Sequence, residues 1–62
     1  MQMKIWELKR GDRFKVPDLP NIPILTFDHM DGMYCYAKTD DGQVCNIAGY
    51  VDCEVVNDKG GQ

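Results

Sequence analysis

The 62-residue chain contains no serine, only one histidine, and no two of its three cysteines in a Cys-x-x-Cys spacing. Nucleophilic catalysis needs a Ser, Cys or Thr beside a base, and His29 is the sole imidazole available. No segment approaches the ~20 consecutive apolar residues of a membrane-spanning helix, and Met1 to Trp6 holds no apolar core of a signal peptide. An excess of basic charge is also missing: Asp and Glu number 10 against 7 Lys and Arg, for a formal net charge of −3. Duplex binders draw their affinity from Lys and Arg on phosphates, so this balance disfavours them. Gly11, Gly32, Gly42 and Gly49 form neither a phosphate loop nor a dinucleotide fingerprint. Each sits at a turn instead.

Chain length sets a further limit. A domain of this size buries only about 60% of its unfolded surface. A substrate-sized cavity would take volume from a core that is already small, so an enzyme is not expected. Cys35, Cys45 and Cys53 are odd in number and each lies in an apolar alternation. That pattern implies reduced, buried thiols behaving as small hydrophobes in a cytoplasmic protein. A Cys₃His zinc site with His29 is conceivable. Structural zinc sites, however, bring their ligands in closely spaced pairs, so neither metal nor cofactor is expected. Asp28, Asp31, Asp40 and Asp41 lack the further ligands of a calcium loop and suit turns, where Asp bonds its local backbone. The basic residues Lys4, Lys9, Arg10, Arg13 and Lys15 fall in the first half, and Asp40, Asp41, Asp52, Glu54 and Asp58 in the second. This asymmetry reads as solvated surface charge with one locally positive end.

Turn signals recur at short intervals: Arg10-Gly11-Asp12, Pro17 to Pro23, Asp31-Gly32, Asp40-Asp41-Gly42 and Gly49. Between them lie short runs rich in Val, Ile, Phe, Tyr and Thr, and no stretch can hold a three-turn helix. Five strands are predicted, at Arg13–Val16, Ile24–Met30, Met33–Thr39, Gln43–Ile47 and Val51–Val56. Ile5 and Leu8 close the core ahead of the first. Three prolines make 17–23 a stiffened loop, and Ala48-Gly49-Tyr50 has room for a turn or a single 3₁₀ turn. Val51, Cys53 and Val55 are expected to point inward. The domain spans 1–57, with 58–62 a fraying, flexible tail.

This order of elements, from Ile5 to Val56, resembles the SH3-like small β-barrels: all-β, five strands, one 3₁₀ turn before the last. The acidic loops and adjacent Trp pair of the signalling members are missing, so Pro-rich ligand binding does not carry over. The run Leu8-Lys9-Arg10-Gly11-Asp12-Arg13-Phe14, with Asp31-Gly32-Met33-Tyr34, is also similar to small accessory proteins of bacteriophages and prophages. That likeness implies a regulator or inhibitor acting on a host complex in the host cytoplasm.

The central hairpin carries the functional expectation. A two-residue type I′ turn at Asp31-Gly32 sets Met30 opposite Met33, His29 opposite Tyr34, Asp28 opposite Cys35 and Phe27 opposite Tyr36. One face then carries Leu25, Phe27, His29, Tyr34 and Tyr36, and the other carries Met30, Cys35 and Ala37. A bulged turn at Gly42 pairs Ala37 with Cys45 and Cys35 with Ile47. Either the aromatic face is exposed, making Phe27, His29, Tyr34 and Tyr36 a protein-binding surface, or Phe27 and Tyr36 complete the core of a strongly curved barrel. His29 would stack on Tyr34, away from Cys35. The alternatives to protein docking are binding of single-stranded RNA or DNA on the same rings, and a homo-oligomeric structural or virion component.

Overall fold

The computed structural model describes residues 3–56; the tail expected at 58–62 lies outside them. Six strands build one antiparallel sheet: β1 (Met3–Lys4), β2 (Arg13–Lys15), β3 (Leu25–Asp31), β4 (Tyr34–Lys38), β5 (Val44–Ala48) and β6 (Asp52–Val55). Their order across the sheet is β1-β6-β2-β3-β4-β5. The all-β class follows the sequence, but the strand count and closure do not. Met3 and Lys4 add a sixth strand by pairing with Cys53 and Asp52, tied by a 2.8 Å Lys4–Asp52 ion pair. The ladder does not close into a barrel, because β1 and β5 stand at opposite edges of the sheet.

The helical turn also moves. Among the described residues the 3₁₀ helix is Ile5–Glu7, not the segment before the last strand. Its cause is local: Lys4 N–H donates to Glu7 Oε2 at 3.0 Å and Leu8 N–H to Ile5 C=O at 3.0 Å, the side-chain reach that favours a helix start. Around Gly49 the backbone is engaged elsewhere. Gly49 N–H donates to Met33 C=O (2.7 Å) and its C=O accepts from Trp6 N–H (3.1 Å), leaving a turn closed by Val51 N–H to Ala48 C=O (3.2 Å).

Alternating side chains supply the core. Ile5, Phe14, Leu25, Cys35, Ala37 and Cys53 are fully buried, and Leu8, Val16, Phe27 and Ile47 nearly so. Burying each large apolar side chain contributes about 1.5–3 kcal/mol. Val55, expected inward, is exposed at the last residue of β6. The proline loop folds as successive turns, with Leu19 N–H to Val16 C=O (2.9 Å) and Ile22 N–H to Leu19 C=O (3.0 Å). Ile22 packs back onto the core.

The two hairpins differ in how they match expectation. The β4–β5 register is Ala37 opposite Cys45 and Cys35 opposite Ile47, as the Gly42 bulge requires. Gly42 holds φ +92°, and its N–H donates to Thr39 C=O at 3.0 Å. In the β3–β4 hairpin the turn is Gly32-Met33, so Asp31 faces Tyr34, Met30 faces Cys35 and His29 faces Tyr36. A type I′ turn at Asp31-Gly32 would force Asp31 to positive φ. The chain instead places Gly32, at φ +65°, in the first central position, where type II′ turns favour glycine. A bulge between Phe27 and His29 then sets Phe27 opposite Ala37.

Candidate protein-binding face

The bulge decides which rings meet solvent. With Asp28 as the extra residue, β3 changes parity: Leu25 and Phe27 point inward below it, while His29 and Asp31 point outward above it. On β4, Cys35 and Ala37 are buried and Tyr34 and Tyr36 face out. Phe27 is thus a core residue, 5% exposed, and does not join the expected surface. His29, Tyr34 and Tyr36 do come together, Tyr34 being 57% exposed and Tyr36 half-buried. Asn46 of β5, opposite Tyr36, belongs with them; sequence alone did not single it out.

His29 stacks on Tyr36, not on Tyr34, with ring centroids 4.7 Å apart and planes 9° from parallel. Register explains the change, since these two are the directly opposed pair. The imidazole Nδ1 lies 2.6 Å from Asp28 Oδ2, and this hydrogen bond, helped by the Arg10 charge, holds the Asp28 carboxyl below its ordinary range. A bulge leaves a backbone group outside the ladder; here Arg10 Nε donates to Asp28 C=O at 3.3 Å. The same guanidinium stands 3.5 Å from the Asp28 carboxylate. Next to the stack, Asp31, Tyr34, Tyr36 and Asn46 line a shallow hollow. Asn46 Nδ2 donates to Cys35 C=O at 3.1 Å, fixing one wall. The face therefore has phenol hydroxyls and ring edges on a stiff β platform, rimmed by Asp28 and Asp31.

Several basic side chains are paired with acids besides Arg10. Lys4 meets Asp52 at 2.8 Å, Arg13 meets Asp40 at 2.9 Å, and Lys15 meets Glu54 at 3.6 Å. At the β4–β5 turn, Thr39 Oγ1 donates to Asp41, which lowers that carboxyl, and Gln43 N–H donates to Thr39 Oγ1 at 3.0 Å. Asp40 and Asp41 are accounted for by turn and ion pair. Among the described residues no cluster of His, Cys, Asp and Glu could hold a metal ion. Cys35 is buried on the face opposite His29, so the two cannot form a dyad. Burial pushes the Cys35 thiol up, and burial with the nearby Glu7 and Asp52 charges pushes Cys53 up to about 11.

A second exposed set was not legible in the sequence. Trp6 (52% exposed), Met33 and Tyr50 are held near one another by the backbone bonds at Gly49. A β-carbon at Gly49 would stand 2.6 Å from Met30 Cε and 3.3 Å from Trp6 Cε3. Trp6 therefore packs across a residue 43 positions away with no local pattern to announce it. No family model, no curated protein and no solved structure matches the chain.

Proposed function

We propose that the protein is a non-catalytic, SH3-like binding module, a phage-type accessory or regulatory protein of the cytoplasm that docks on a protein partner. The docking surface is the outer face of β3, β4 and β5, carried by His29, Tyr34 and Tyr36. One observation supports it above the others: three polar aromatic side chains share a solvent-facing sheet surface although the core is complete without them. Aromatic rings bring contact area at low entropic cost, and tyrosine hydroxyls add directional bonds, which is why such residues concentrate in interfaces. Asp28 and Asp31 at the rim favour a partner with basic groups around an apolar centre.

The stacked pair also suits a nucleobase, and single-stranded nucleic acid is the second reading. Ion pairing of Arg10, Arg13 and Lys15 with Asp28, Asp40 and Glu54 speaks against it. Affinity capture from the source cells with the wild-type chain and with Tyr34→Ala/Tyr36→Ala separates the readings. The protein-docking reading expects a partner retained by the wild type and lost by the double variant, with an unchanged melting temperature. Equal capture by both chains contradicts it. Salt-sensitive binding of a labelled single strand, measured by anisotropy, would favour the second reading.

A further inference from the structure

The polar groups of a strand's backbone alternate between its two sides. The β4–β5 ladder is pinned at one end by Thr39 N–H to Gln43 C=O (2.9 Å) and at the other by Gly49 N–H to Met33 C=O (2.7 Å). With Ala37 opposite Cys45 and Cys35 opposite Ile47, the residues bonded to β4 are Cys45 and Ile47. The N–H and C=O of Val44 and Asn46, and the N–H of Ala48, therefore point off the free edge; Ala48 C=O accepts from Val51 N–H at 3.2 Å.

Soluble sheets guard such edges with short strands, Lys, Pro or bulges. The opposite edge of this sheet is guarded. β1 has two residues, one of them Lys4, and the chain turns at once into the 3₁₀ helix. β5 has none of these devices: Val44-Cys45-Asn46-Ile47-Ala48 is uncharged, free of proline and regular in register.

We infer that the free edge of β5 is a strand-pairing site whose occupant is β5 of a second copy of this chain, antiparallel about a two-fold axis at Asn46. The strand is its own complement. That axis sets Asn46 opposite Asn46 and Val44 opposite Ala48 on the outer face, and Cys45 opposite Ile47 on the inner. Each face then pairs uncharged side chains, and the groups pointing off one edge meet those of the other. Charge fits as well. The arrangement lays the Asp40–Gly42 turn of one copy beside Tyr50–Asp52 of the other, and the two acids that approach there are already paired, Asp40 with Arg13 at 2.9 Å and Asp52 with Lys4 at 2.8 Å. The pairing leaves Tyr34 outside the strand contact and does not rest on the proposed docking face.

Sedimentation velocity of the full chain from about 1 μM to about 1 mM, a range that spans weak to moderate self-association, tests the inference together with amide exchange. The expected result is a monomer–dimer equilibrium in which the Asn46 and Ala48 amides slow as the dimer fills. Val44→Lys, which puts a charged side chain beside Ala48 at each end of the contact, and Asn46→Pro, which removes one outward donor per copy, should each weaken association about tenfold or more. Asn46 N–H faces away from β4, so proline removes no ladder bond and costs the fold only the side-chain donation of Asn46 Nδ2 to Cys35 C=O. Val44→Lys leaves the backbone untouched and keeps the test valid if the proline variant unfolds. Tyr34→Ala/Tyr36→Ala should dimerise like the wild type. A monomer at every concentration, a dimer whose Asn46 and Ala48 amides exchange as in the monomer, or undiminished association of Val44→Lys overturns the inference.

Discussion

Phe27 and Tyr36 belong to the same hairpin, regular strand alternation about a two-residue turn would treat them alike, and they end on opposite faces of the sheet. Phe27 is buried among Phe14, Leu25 and Ala37 within the core, whereas Tyr36 lies outside it, stacked on His29. The difference is Asp28. One residue inserted between them turns β3 over, so that aromatic rings below the bulge stabilise the fold and rings above it are left for recognition. Arg10 and His29 hold that residue from two sides, the first at its carbonyl and the second at its carboxylate.

The contrast between the two faces can be broken by mutation. Phe27→Ala should have the largest effect, about 3–5 kcal/mol of stability lost in urea unfolding. A chain this short has on the order of 3–9 kcal/mol in total, so the variant should be substantially unfolded at room temperature. Tyr34→Ala, by comparison, should fall within about 0.5 kcal/mol of wild type. Thiol chemistry sharpens the same division. Cys35 and Cys53 line the buried face with raised thiol pKa values, while Cys45 is partly exposed. At neutral pH, an alkylating reagent followed by mass spectrometry should modify Cys45 at least about ten times faster than either of the others.

Gly49→Ala probes the junction of Trp6 with the hairpin end. Its new methyl overlaps Met30 Cε, the mobile end of a flexible side chain, so the loss should be about 1 kcal/mol, at the low end of overpacking costs. The smallest effect concerns acid. Asp28 ionises below its ordinary value of 3.8 in the folded state because of His29. Its ionised form therefore adds stability above that value, and the contribution disappears as pH falls through the lower folded value. Asp28→Asn should lower stability slightly near pH 7 and converge on the wild type in acid, which flattens the acid limb of a stability–pH curve, read by denaturation at a series of pH values.

What the sequence made legible follows from where glycine constrains the chain. Asp40-Asp41-Gly42 has one good solution, with Gly42 in the left-handed region, and the β4–β5 register came directly from it. Asp31-Gly32 has two solutions. Placing Gly32 first in the turn shifted the pairing by two residues, which leaves side-chain parity intact and keeps His29, Tyr34 and Tyr36 on one face. The bulge was silent because neither glycine nor proline marks it; Asp28 looks like any polar residue of an alternating strand. The placement of Trp6 was silent for a different reason. Its partner is Gly49, and their proximity depends on the whole sheet rather than on any local pattern. β1 escaped notice because two residues cannot show a period.

The register that separates the two faces can be read by nuclear Overhauser contacts between α-protons across the β3–β4 ladder. Non-bonded antiparallel pairs bring their α-carbons to about 4.5 Å, close enough for a strong signal. Because Asp31–Tyr34 and His29–Tyr36 are the bonded pairs here, the account predicts a strong Met30–Cys35 cross-peak and none between His29 and Tyr34. A strong His29–Tyr34 cross-peak with no Met30–Cys35 signal would contradict the register, and a Phe27–Tyr36 cross-peak beside it would remove the bulge and return Phe27 to the face of Tyr36.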